Sequence, residues 1–174
     1  MYAVAIIGLG PFQQHIPDNC ERWGLANGHI LDCDLFFEIH EDFLDHPSAY
    51  NGNDIIERLN DIDAPILMSK PCKDVPKSLE YPLERIVSEF GNYLECSISY
   101  MVAFAIDQKA DSIFLFGVSG DDGYRSQRPN IEYLLGFARG CGINVHVDVN
   151  SKLLTSDWPK GLYGLGGQNG DNIL

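Results

Sequence analysis

The chain has 174 residues, 45% of them hydrophobic and 21% charged, with 25 acidic against 12 basic side chains and a formal net charge of −13. That length suits one domain with a substantial core and is short for two. The acidic excess, with Arg22, Arg58, Lys70, Lys73, Lys77, Arg85, Arg125, Arg128 and Arg139 dispersed along the chain, excludes extended nucleic acid as a partner but leaves room for a small anion held locally.

Cys20, Cys33, Cys72, Cys96 and Cys141 show no C-x-x-C spacing, and their odd number argues for reduced thiols over a disulfide framework or a zinc site. No segment is apolar for long enough to span a bilayer, and Met1-Tyr2-Ala3-Val4 lacks the basic flank of a secretory signal. The expectation is a cytoplasmic protein with no membrane partner.

In chain order, Tyr2 to Ile7 is a continuous apolar run that breaks into Gly8-Leu9-Gly10-Pro11, the pattern of a buried first strand delivering a tight turn to a sheet edge. Arg22–Asn27 and Asp34–His40 read as two further strands. Residues Asn53 to Asp61 carry Ile55, Ile56 and Leu59 at helical spacing, with Asn53 or Asp54 as cap. Pro65–Ser69 is a fourth strand. The proline-containing stretch from Lys70 to Pro82 reads as the longest irregular connection, a surface loop that is also a candidate lid or homo-oligomer contact.

Tyr81 to Gly91 has proline near its start, an apolar stripe and a terminal glycine, and predicts a helix. A second helix over Ser97–Lys109 is apolar nearly all round and so should be covered on most sides. Asp111–Val118 is the strongest strand signal and ends in Ser119-Gly120-Asp121-Asp122-Gly123. A helix over Pro129–Cys141 and a strand over Ile143–Val147 follow. The alternation predicts an α/β, Rossmann-like three-layer fold with a mostly parallel sheet, as one domain over residues 1–160, followed by a Gly/Asn-rich tail over 161–174.

In an open parallel sheet, ligands bind beyond the carboxyl ends of the strands, near the point where strand order reverses. That rule gathers Gly8, Gly10 and Pro11, then Asn27, then Glu38, His40 and Glu41, then Ser119 to Asp122. Glycine lets the backbone approach a phosphate and aim its N–H groups at it; the same letters also make a purely structural turn. Ser97 and Ser99 open the buried helix, where hydroxyls and N–H groups suit an anion, or where Ser97 simply caps the helix.

His40 stands among carboxylates, and strand alternation sends Glu38 to the same face, as a general base or a metal ligand would require; a solvated strand end uses the same residues. Asp121 and Asp122 are either turn formers or ligands for Mg²⁺ beside a phosphate. Arg125 and Arg128 are the cations placed to grip a phosphate, with Arg128 the stronger candidate.

The landmarks Gly8-Leu9-Gly10-Pro11, Asn27, Ser97-Ile98-Ser99-Tyr100-Met101, Ile113 to Val118 and Asn150-Ser151-Lys152-Leu153-Leu154 occur in an order that resembles two related families. These are the bacterial sialyltransferases that use a CMP-sugar donor and the archaeal 6-hydroxymethylpterin pyrophosphokinase-like proteins. Gln127-Arg128-Pro129-Asn130-Ile131-Glu132-Tyr133 and Leu162-Tyr163-Gly164 are similar to stretches of small Rossmann-like proteins of tailed bacteriophages.

The resemblance implies a nucleotide pocket in which Gly8 and Gly10 approach the phosphate, Asn27 meets the base or ribose, and Ser97 contacts the donor. The chain departs from the sialyltransferase pattern at Phe12, where serine is usual, and at Ser119, where aspartate is usual. The segment carrying that family's general base has no clear counterpart. The functional expectation is a small anionic, nucleotide-type ligand that is either turned over by transfer or hydrolysis, with His40 or Asp122 managing a proton or metal, or sequestered without chemistry.

Overall fold

The computed structural model describes residues 1–28, 32–41, 55–121 and 125–155. Its elements run β1 (Ala3–Ile7), β2 (Cys20–Leu25), β3 (Leu35–Glu38), α1 (Ile55–Asp61), β4 (Ile66–Met68), β5 (Ser78–Glu80), α2 (Leu83–Phe90), α3 (Ser97–Asp107), β6 (Ser112–Phe116), α4 (Arg128–Gly140) and β7 (Asn144–Val147). The strands form one 7-stranded sheet in the order β5-β4-β3-β2-β1-β6-β7. Every neighbouring pair is parallel. The fold is therefore α/β and Rossmann-like, as the alternation predicts.

Parallel central strands are buried on both faces, which is why β1 is apolar at every position and wholly buried. Val4 and Ile6 face the larger core with Trp23, Leu35, Phe37, Leu67, Ile113 and Leu115, covered by α2, α3 and α4. The opposite face divides. Phe36, Ile66 and Met68 lie under Ile55 and Leu59 of α1, whereas Ala3, Ala5, Ile7 and Phe116 lie under Phe12 and Ile16. These last two belong to the connection from β1 to β2, which contains no helix. A Rossmann unit ordinarily places a helix there; here two apolar side chains on an irregular segment cover the sheet instead.

Three expectations shift. Ser78–Glu80, inside the stretch read as an irregular loop, is an edge strand parallel to β4. β2 begins at Cys20 and stops at Leu25: the Ala26 N–H gives the last ladder bond, to the Phe37 carbonyl at 3.0 Å, and the Gly28 N–H then closes a turn on the Leu25 carbonyl. α3 stops at Asp107, with Lys109 at φ 58° and the Ala110 N–H donating to Ala105. The helix expected from Asn53 begins in the described residues at Ile55. Its proposed caps and the domain boundary at 160/161 lie outside them. No helix among the described residues is long and apolar enough to cross a membrane.

Candidate functional site

Strand order reverses between β1 and β6: the chain leaves β1 toward β2 on one side, and β6 and β7 fill in on the other. The carboxyl ends of this pair are joined without side chains. The Gly8 N–H donates to the Phe116 carbonyl at 2.8 Å and the Gly10 N–H to the Gly117 carbonyl at 2.8 Å. A Cβ on Gly8 would fall 2.5 Å from the Gly117 oxygen, and one on Gly10 2.8 Å from it. Both glycines are thus required by the close passage of two backbones, and their N–H groups are committed to that passage. Pro11 follows them at the exposed rim. Since no helix follows this turn, no helix dipole stands behind it.

α3 and α4 both begin toward this edge, as does α2, which follows β5 directly. Tyr81 directly follows β5 and donates its hydroxyl to the Tyr100 carbonyl at 3.0 Å, which fixes the first turn of α3 at the carboxyl end of the sheet. Burial, and then the Glu41 carboxylate beyond β3, push the Tyr100 hydroxyl above its ordinary range. Cys96 is the N-cap residue, in extended conformation. Ser99 completes the cap: its hydroxyl donates to the Cys96 carbonyl at 2.6 Å and accepts from the Cys96 N–H at 3.3 Å. Ser99 is fully buried in that role, while Ser97 occupies the first helical position at partial exposure. Burial raises the Cys96 thiol. Its sulfur lies 3.8 Å from the Asn130 side-chain oxygen in the first turn of α4, so the two helix starts are adjacent.

At the end of β3, the His40 Nδ1 sits 2.6 Å from Glu38 Oε1. Glu38 is 2% exposed and His40 is half-buried. A carboxylate only accepts, so Nδ1 carries the proton and Nε2 is the basic nitrogen. Glu41 pairs with Lys70 beyond β4 at 3.2 Å.

Asn27 stands two residues past β2, where Leu9 of the glycine turn packs directly onto Gly28. Its side-chain oxygen is buried without a partner among the described residues. On the other flank, the loops after β6 and β7 are zipped together. Ser151 Oγ donates to the Val118 carbonyl at 2.6 Å, and the Lys152 N–H donates to the Ser119 carbonyl at 2.7 Å.

The structure thus brings Gly8, Gly10, Pro11, Asn27, Ser97, Ser99 and His40 to one edge of the sheet. Arg128 reaches that edge too, at the start of α4, but its Nε is held 2.8 Å from Glu132 and its Nη2 2.6 Å from the Thr155 carbonyl. The guanidinium ties the C-terminal loop to the helix, and Glu132 compensates its charge. Asp121 is exposed, and Asp122 lies outside the described residues. The sequence places Glu38 on the face of His40 as a carboxylate able to orient it, and the structure pairs the two; the sequence carries no sign of Asp148, a buried carboxylate just past β7.

No family model and no curated protein matches the sequence. Among solved structures, the chain is similar to the sialyltransferase CstII from Campylobacter jejuni, determined in complex with a substrate analogue, cytidine-5'-monophosphate. The TM-score is 0.58 at 16% sequence identity, covering 88% of this chain and 82% of that one. The likeness shows a shared fold over most of both chains.

Proposed function

We infer that this protein binds a nucleotide across the carboxyl edge of its sheet, at the β1/β6 crevice. There it acts on the nucleotide, or on a small molecule activated by it, through group transfer or hydrolysis. The observation that carries this reading is the pairing of His40 with the buried Glu38 at that edge. A carboxylate taken out of water and hydrogen-bonded to an imidazole fixes its tautomer and stabilises the cation formed when Nε2 accepts a proton. Strand topology supports the location, since ligands of open parallel sheets sit where the order reverses. The fold shared with a protein solved with cytidine-5'-monophosphate supports the ligand class.

The chemistry follows from these placements. Nε2 of His40 takes the proton from an acceptor hydroxyl or a water as its oxygen attacks the activated atom. A bond forms from that oxygen to the transferred group, and the bond from the group to the nucleotide phosphate breaks, its electron pair leaving with the phosphate. The Ser97 hydroxyl and the positive end of α3 face the charge that develops there.

Cytidine-5'-monophosphate at ten times its Kd is expected to stabilise the protein by about 1.4 kcal/mol. His40→Ala should lower kcat for hydrolysis or transfer from a CMP-activated sugar by about a hundredfold or more, leaving nucleotide affinity within about twofold. Calorimetry and a coupled nucleotide-release assay measure both. No thermal shift with any cytidine nucleotide, or wild-type turnover by His40→Ala, overturns the reading. Tight stoichiometric binding without turnover marks instead a sequestering module.

A further inference from the structure

Asp148 is 4% exposed and lies one residue beyond β7. Its N–H donates to the Leu115 carbonyl at 3.0 Å, extending the β6–β7 ladder by one step. Its carboxylate plane is set by the Asn150 N–H, which donates to Oδ1 at 2.8 Å. The second oxygen, Oδ2, is buried with no hydrogen-bond partner among the described residues. A buried, unpaired carboxylate oxygen is among the costliest groups a fold can retain. A native fold that retains one does so for a reason, and a ligand that supplies the missing donor is one such reason. The surroundings are rigid: the 117–121 and 148–155 loops are cross-bonded through Ser151 and Lys152, and Leu153 packs against Gly120.

We propose that Asp148 Oδ2 is the recognition point for a neutral hydroxyl or amino donor on the nucleoside part of the ligand. The inference rests on the nucleotide reading above and adds an orientation to it. A carboxylate oxygen accepts hydrogen bonds and repels phosphate, so the phosphate lies away from β7 and the sugar or base lies against it. Asn27, at the end of β2, has the second unpartnered buried acceptor oxygen. β2 and β7 are separated by β1 and β6, about 14 Å at about 4.8 Å per strand spacing, the span of a nucleotide laid across the crevice. His40 lies one strand further on, at the end of β3. The nucleoside is thereby read on the β6–β7 side, the phosphate sits at the α3 start, and the group to be transferred points toward Glu38 and His40.

The test is Asp148→Asn, which keeps Oδ1 for the Asn150 turn and removes the charge. The unliganded variant is expected to melt no lower than wild type. Its Kd for cytidine-5'-monophosphate should rise at least tenfold, about 1.4 kcal/mol, while its Kd for pyrophosphate does not rise. Wild type should lose comparable affinity for one of three probes: the 2'-deoxy nucleotide, the 3'-deoxy nucleotide, or uridine-5'-monophosphate, which lacks the exocyclic amine. Asp148→Asn should not lose further affinity for that same probe.

Equal cytidine nucleotide affinity in both proteins, or additive losses with all three probes, overturns the role of Asp148 and leaves the nucleotide reading standing. Wild-type binding that disappears on chelation with EDTA overturns it in favour of a cation at Oδ2. Failure of wild type to bind any nucleotide removes both proposals.

Discussion

Gly117 holds φ at +64°, and a Cβ built on it would fall 2.5 Å from the Gly10 carbonyl oxygen. A left-handed backbone costs an L-residue about 1–2 kcal/mol before any clash, so Gly117→Ala should destabilise the protein by about 2 kcal/mol or more, measured by urea denaturation. Loss below half a kilocalorie would show that the two loops slide apart easily. Cys33 gives a pH signature. Burial, with Asp34 nearby, pushes its thiol up to about 11, so the folded state keeps a proton that the unfolded state releases from about pH 9. Its contribution to stability is full below pH 9 and is lost as pH rises toward 11. Cys33→Ser should flatten that alkaline decline in a melting-temperature profile.

At this scale the sequence was informative where chemistry follows from residue type. His40 among carboxylates and the glycine turn were both legible. The assignment of the Arg128 guanidinium to Glu132 and Thr155 was not, because the Thr155 carbonyl comes from 27 positions away.

Among the elements, α3 shows how a helix start is built and used. Ser99 satisfies both the N–H and the carbonyl of Cys96, so Ser99→Ala should cost about 1 kcal/mol, read as a lowered denaturation midpoint with an unchanged m-value. The all-round apolar character of this helix predicted its burial, and α4 and the sheet supply the cover. β5 escaped detection because it is three residues long and mostly exposed; its strand conformation comes from pairing with Ile66, Leu67 and Met68. Backbone pairing leaves no mark on residue type when neither face is buried. The turn at Gly8 to Pro11 reads from sequence as a strand-to-helix turn, yet the structure continues it as an irregular connection that packs Phe12 and Ile16 on the sheet.

Over the whole molecule, the formal net charge of −13 opposes the approach of an anionic nucleotide, and the repulsion is screened over about 8–10 Å at physiological ionic strength. The association rate constant for cytidine-5'-monophosphate should therefore rise with salt, the reverse of a steered encounter, and stopped-flow measurement from 10 to 300 mM NaCl checks it. A fall would reveal a concentrated cationic entrance.

The number and type of most elements, the parallel class of the sheet and the identity of its central strands were determined by the sequence alone. Long apolar runs and 3.6-residue spacing follow from what each segment must bury. Only the tertiary structure decided the order β5-β4-β3-β2-β1-β6-β7, and with it the point between β1 and β6 where strand order reverses. Strand order depends on which edges compete for pairing across the folded chain. The Asp148 oxygen left without a partner among the described residues belongs to the same level, since satisfaction of a buried group is a property of everything that surrounds it.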